Sequence, residues 1–165
     1  MKIIVVSDTH MPKRAKKLPA RFVKDLELAD LIIHAGDWQT MGVYEELSRY
    51  ARVEGVIGNV DGPDMQQRFG EKLILDVNGF KIGVVHGHGQ KLTTERRALA
   101  AFENEEIDCL IFGHSHIPVL KETDGVLLFN PGSPTDKRRQ PHFSYGILTI
   151  EETIHAEHVF YENKE

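Results

Sequence analysis

One cysteine in 165 residues is the first absence. Cys109, inside the apolar run "CLIF", has no partner in the chain, so no intrachain disulfide staples the fold, and it reads as a small core residue. The second absence is any long hydrophobic run. The first apolar stretch, "IIVV", stops after four residues at Ser7, short of the roughly 7–15 residues of a secretory signal core. No later stretch approaches the ~20 apolar residues that span a bilayer. The expectation is a cytoplasmic protein without membrane association. Positive charge is also in short supply, with 20 Lys+Arg against 25 Asp+Glu and a formal net charge of −5. General attraction to a polyanion is therefore not built into the chain, and a nucleic acid enters as a substrate at most.

What is present is a set of short Val-, Ile- and Leu-rich runs. They are "KIIVV" at 2–6, "LIIH" at 31–34, "VEGVI" at 53–57, "KLILDV" at 72–77 and "KIGVVH" at 81–86, then "CLIF" at 109–112, "VLLF" at 126–129, "YGILTI" at 145–150 and "AEHVFY" at 156–161. Continuous apolar runs bounded by polar or glycine residues are strands covered on both faces. Helical patterns separate the early ones. Pro19 stands near a helix start, with Phe22, Leu26 and Ala29 spaced for one face. Thr40 is the expected N-cap of "MGVYEELSRY", and a threonine cap opens "TTERRALAAF", with Ala98, Leu99 and Phe102 on one side. Strand–helix alternation followed by strands predicts one α/β domain over 1–165, its second half adding a mainly antiparallel sheet.

Five polar clusters follow the apolar runs: "SDTH" at 7–10, "AGD" at 35–37, "GNVD" at 58–61, "HGHG" at 86–89 and "GHSH" at 113–116. In an open α/β sheet, ligands bind beyond the carboxyl ends of the strands, so clusters spread over a hundred residues of sequence converge in space. Asp8, His10, Asp37, Asn59, His86, His114 and His116 form a donor set without thiolate. Such a set suits Mn²⁺ first, with Ni²⁺, Co²⁺, Fe or Zn²⁺ as alternatives. Seven side chains exceed the three or four protein ligands of one catalytic metal, whereas two ions sharing a carboxylate use them all. Gly36, Gly58, Gly87 and Gly113 sit beside the clusters, where a missing Cβ permits tight turns and close backbone approach.

Together, "DTH" at 8–10, "GD" at 36–37, "GNVD" at 58–61, His86 and "GHSH" at 113–116 resemble the motifs of the calcineurin-like metallophosphoesterases. The small size and "NPGS" at 130–133 look most like the short prokaryotic phosphodiesterase branch. The resemblance implies a four-layer α/β/β/α sandwich of two mixed sheets flanked by helices. It also implies a dinuclear phosphodiesterase in which a hydroxide generated between two ions attacks phosphorus. On that pattern Asp8, His10, Asp37 and His116 hold one ion, and Asp37, Asn59, His86 and His114 the other, with Asp37 bridging. Asn59, Asp61, His86 and His88 are the residues expected around the reacting phosphate. One departure stands out: Val60 occupies the position where many members carry a histidine that serves the leaving group. The branch often forms dimers or larger assemblies, so a homo-oligomer is also implied. A non-catalytic metal-binding scaffold of the same fold is the alternative, and completeness of the ligand set separates the two.

Outside the ligand pattern, His88 is expected to face substrate phosphate or solvent, and His34 to be structural. Asp61 is expected to orient Asn59 or a neighbouring imidazole. Asn130 and Ser133 read as backbone caps. The basic runs "PKRAKK" at 12–17 and "DKRR" at 136–139 leave strand ends, which puts them near the site.

Overall fold

The computed structural model describes residues 1–165. Ten strands and four short helices run β1 (Lys2–Val6), α1 (Ala20–Leu26), β2 (Leu31–His34), α2 (Met41–Leu47), β3 (Arg52–Gly55), α3 (Pro63–Arg68), β4 (Lys72–Val77), β5 (Phe80–Val85), α4 (Thr94–Ala101), β6 (Cys109–Ile111), β7 (Val119–Thr123), β8 (Val126–Asn130), β9 (Phe143–Ile150) and β10 (Ile154–Tyr161). They build two five-stranded sheets, ordered β10-β9-β1-β2-β3 and β4-β5-β6-β8-β7.

Alternation along the central strands explains the layering. In β1, Ile3 and Val5 join a core of 14 buried residues shared with Ile82, Val84, Cys109 and Ile111 of the other sheet. Ile4 and Val6 point the opposite way, into a second core with Phe22 and Leu26 of α1 and Val43 and Leu47 of α2. A third cluster packs Ala98 and Phe102 against Val85, Leu110 and Leu128 on the outer face of the second sheet. A strand buried on both faces has no polar side to show, which is why these runs are continuously apolar. The result is the α/β/β/α sandwich. No helix is long and apolar enough to cross a membrane.

Two local readings need correction, and two elements went unread. The second sheet is mixed, because β5, β6 and β8 pair in parallel at its centre and only β4 and β7 are antiparallel. Thr40 occupies the N-cap position of α2 but caps nothing, because its hydroxyl donates to the Met11 carbonyl at 3.1 Å. By contrast Thr93 caps α4, accepting from the Arg96 N–H at 3.2 Å. β7 and α3 carry weak apolar signals, since "VLKET" is a largely exposed edge strand and α3 buries only Met65. Their punctuation was nonetheless legible. Asp124-Gly125, at φ 51° and 80°, is the hairpin turn before β8, and Pro63 stands at the first turn of α3.

Parallel pairing of β1-β2-β3 and of β5-β6 aligns the carboxyl ends of all five strands along one rim. Every polar cluster starts there.

Candidate metal centre

Asp8 and His10 follow β1, Asp37 follows β2, His86 follows β5, and His114 and His116 follow β6. The sandwich brings Asp8, His10 and His116 together as one group, and Asp37, His86 and His114 as a second, with ligand atoms within 4.8 Å in each. The groups adjoin. Asp37 Oδ2 lies 3.1 Å from His86 Nε2 and 3.6 Å from His10 Nε2, so it faces both. Asp8 Oδ1 lies 3.5 Å from His116 Nε2, 3.6 Å from His86 Nε2 and 3.8 Å from His10 Nε2.

Four of these buried atoms have no hydrogen-bond partner: Asp8 Oδ1, His10 Nε2, His86 Nε2 and His116 Nε2. One orphaned buried donor or acceptor calls for an explanation; four converging from two sheets share one. Ligand bonds of about 2.0–2.2 Å put neighbouring donors about 3.0–3.5 Å apart around a single ion. The observed separations are of that size, and the donor set fits divalent metal.

The remaining atoms of these side chains are anchored to the protein. His86 Nδ1 is 2.8 Å from the Ala35 carbonyl, and His116 Nδ1 bonds the Asp136 carbonyl. Donation from Nδ1–H leaves Nε2 with its lone pair toward the centre. Asp8 Oδ2 accepts from the Ser7 hydroxyl at 2.8 Å and the His114 N–H at 3.0 Å, and Asp37 Oδ1 accepts from the Val60 N–H at 3.0 Å. Burial would push the Asp8 carboxyl up, but His10, His86, His116 and the Ser7 hydroxyl outweigh it and hold it at about 2. Asp37 is lowered in the same way: burial is overcome by His86 and the Val60 N–H. Burial pulls His86 down, yet Asp37 and Asp8 leave its pKa above the ordinary imidazole value. Burial dominates at His114 and His116, whose pKa values are lowered. Ligating imidazoles must be neutral, so protons compete with a cation at this centre and its affinity falls as the pH falls.

Backbone strain concentrates here as well. Asp8, His10, Asp37, His114 and His116 all take positive φ, between 45° and 69°. Non-glycine residues hold such angles at a cost of order 1–3 kcal/mol each, and only where the surroundings over-determine them. Close approach needs glycine at two points. A Cβ on Gly58 would fall 2.1 Å from Asp37 Oδ1, and one on Gly113 would fall 2.0 Å from Ser7 Oγ.

The other expected residues are placed as follows. Asn59 is exposed in the turn between Gly58 and Asp61. His88 is half-buried with its ring 5.5 Å from that of His86 and 6.5 Å from that of His114, and its Nδ1 is buried without a partner. Asp61 orients neither Asn59 nor an imidazole. Its carboxylate instead accepts the backbone N–H groups of Asp37, Gln39 and Gly58 at 2.8–2.9 Å, tying the loops after β2 and β3 together. Asn130 and Ser133 are backbone caps: Asn130 Nδ2 donates to the Gly113 carbonyl, and Ser133 Oγ donates to the Asp8 carbonyl at 2.9 Å. The two basic runs meet at Asp136, whose carboxylate lies 3.4 Å from Arg14 Nε and 3.9 Å from Arg138 Nε. Sequence reasoning missed Ser7, Thr135 and Asp136. Thr135 Oγ1 donates to the Thr9 carbonyl at 2.6 Å, and nothing in "SPTD" signals that role.

His34 lies beneath the centre and is structural. Its Nδ1 accepts the Gly36 N–H, its Nε2 is 3.1 Å from Thr9 Oγ1, and its ring stacks on Trp38 at 3.9 Å. Complete burial drives its pKa from 6.5 to about 3. Between those values the unfolded chain binds a proton that the folded chain refuses, so His34 removes stability as the pH falls from 6.5 toward 3. The slope it contributes approaches about 1.4 kcal/mol per pH unit. His34→Asn keeps an acceptor for Gly36 and should flatten the stability–pH curve of the metal-free protein between about pH 6 and 4. Denaturant titrations across that range check this, and an unchanged slope would refute it.

A family model for the calcineurin-like phosphoesterase superfamily domain matches residues 1–153. The chain belongs to that superfamily. A probable metallophosphoesterase of Methanocaldococcus jannaschii is 38% identical to this phosphoesterase over 157 residues, 94% of this chain and 79% of the relative. Among solved structures, an archaeal phosphodiesterase superposes with a TM-score of 0.75 at 26% identity, covering 98% of this chain and all (100%) of its own. Vps29 of Entamoeba histolytica complexed with Zn²⁺ gives 0.77 at 28% identity, covering 97% and 99%. Superfamily members bind divalent metals, and the two donor groups of this phosphoesterase stand where the strand ends converge.

Proposed function

We propose that this phosphoesterase is a dinuclear, metal-dependent phosphodiesterase. The observation that carries the reading is the set of four unpartnered buried donors converging from both sheets, with Asp37 facing both donor groups. Asp8, His10, Asp37 and His116 would hold one ion, and Asp37, Asn59, His86 and His114 the other. Divalent ions held there would supply Lewis-acid polarisation of the phosphoryl oxygens and a source of hydroxide near neutral pH. The protein's part is to fix donors in place: Asp61 pins the backbone at Asp37 and Gly58, and the Ala35 and Asp136 carbonyls aim His86 and His116. His88 faces the same space and is assigned to the phosphate oxygens. The resemblance to an archaeal phosphodiesterase and the Val60 side chain, exposed at 43%, favour a diester over a monoester.

Stripping with a chelator should abolish hydrolysis of bis(4-nitrophenyl) phosphate, and Mn²⁺ should restore it. Co²⁺, Ni²⁺, Fe²⁺ and Zn²⁺ form the rest of the panel. Mg²⁺ should restore less, because it prefers oxygen ligands and several retained waters. Hydrolysis that survives complete stripping contradicts the reading. Less than one transition metal per chain under replete conditions supports the scaffold alternative instead.

A further inference from the structure

A cavity of about 280 Å³ opens on the outer surface between Pro118, Gln140, Pro141, His142 and Phe160. Nothing in the metal centre uses it, yet the same two segments build both. Pro118 follows the donor His116 by two residues, which keeps their Cα atoms within roughly 8 Å of each other. The opposite wall is the loop that starts at Asp136, whose carbonyl holds His116 Nδ1, and continues to His142. We propose that this cavity receives the nucleobase of a nucleotide diester whose phosphate lies at the metal centre. The inference rests on the phosphodiesterase reading and supplies its substrate class.

The walls suit a flat heteroaromatic group. Phe160, on β10, leaves 53% of its surface exposed, with the His158 ring beside it at 5.4 Å. His142 meets it edge-on at 6.0 Å and 82°. Two prolines complete the cavity and have little side-chain freedom to lose on binding. Gln140 has a side-chain amide that makes no hydrogen bond within the chain, so it offers a donor and an acceptor to a base edge. Arg138, held at φ 50°, and Arg14 both have their guanidinium groups beside the carboxylate of Asp136, the residue whose carbonyl holds His116. Apolar walls and one amide suit a base, and the arginines at Asp136 supply positive charge on the loop shared with His116, as a phosphate requires.

Two measurements test the assignment. The first is calorimetric titration of the metal-free protein with thymidine 5′-phosphate and with deoxyribose 5-phosphate. The nucleotide should bind at least about tenfold more tightly, as stacking of one base on one ring allows. That preference should shrink in Phe160→Ala and in Phe160→Leu, which keeps bulk but removes the ring. The second uses metal-loaded protein and two esters with the same leaving group, thymidine 5′-(4-nitrophenyl phosphate) and methyl 4-nitrophenyl phosphate. The thymidine ester should show a KM lower by about tenfold, and Phe160→Ala should raise that KM alone. Equal binding of the two phosphates, or a preference untouched by both variants, overturns the proposal. So does sedimentation showing that Phe160→Ala dissolves a dimer while nucleotide binding is unchanged, which would assign the face to a second copy. Base-dependent binding without any diesterase activity keeps the cavity and removes the catalytic reading. Equal turnover of the two esters, by contrast, removes the cavity alone.

Discussion

Asp37→Asn is expected to lower turnover about a thousandfold or more and to drop bound metal below two ions per chain. Asp37 Oδ2 lies 3.1 Å from His86 Nε2 and 3.6 Å from His10 Nε2, so it faces both donor groups. Asparagine keeps the shape but loses the charge, and it turns one acceptor into an N–H₂ donor aimed at a cation or at the Val60 N–H. A two-metal clamp supplies several kcal/mol of charge stabilisation. Since about 1.4 kcal/mol is tenfold in rate, its loss reaches three orders of magnitude. His10→Ala removes a donor of one group only and should cost less. Metal analysis and kcat on the same preparations decide the matter. Full metal content with near-normal turnover in Asp37→Asn would contradict the bridging assignment.

The second large effect concerns the departing oxygen. Val60 occupies the turn at Gly58–Asp61, its N–H holding Asp37 Oδ1 at 3.0 Å and its side chain exposed. An isopropyl group has no proton to give. General acid catalysis contributes about 10²–10⁴-fold, so its absence should penalise poor leaving groups by a comparable factor. Rates across a series of aryl and alkyl diesters should fall steeply as the leaving-group pKa rises, with nitrophenolate at the fast end. Val60→His keeps the backbone N–H to Asp37 and should flatten that slope. A shallow slope in the unmodified protein would show that another group donates the proton, with His88 the first to replace. The metal assignment would survive that outcome.

The layering was legible in the chain because β1, β2, β5 and β6 are apolar on both faces, and only a strand sandwiched between sheet and helices needs that pattern. The candidate ligands were legible for a related reason. Each lies within a few residues of a strand's carboxyl end, and a parallel sheet sends those ends to one edge. Local signals also sufficed for Asn130 and Ser133 as backbone caps. They failed for Thr40, whose hydroxyl found the Met11 carbonyl across 29 residues instead of its own helix.

The chain by itself determined the donor types, their order and the strand ends that carry them. Tertiary structure decided how they act. Whether Asp61 serves an imidazole or the backbone depended on how the loops after β2 and β3 cross, and their N–H groups took the carboxylate. The positive φ of five candidate ligands is likewise invisible in residue identity, because neighbouring loops impose it. The pairing of donors into two groups, and the meeting of Arg14 with Arg138 at Asp136, arise only when two sheets stack and loops more than a hundred residues apart share one rim. Spacing along a chain records which groups exist, while distance across a packed interface sets which of them share a charge.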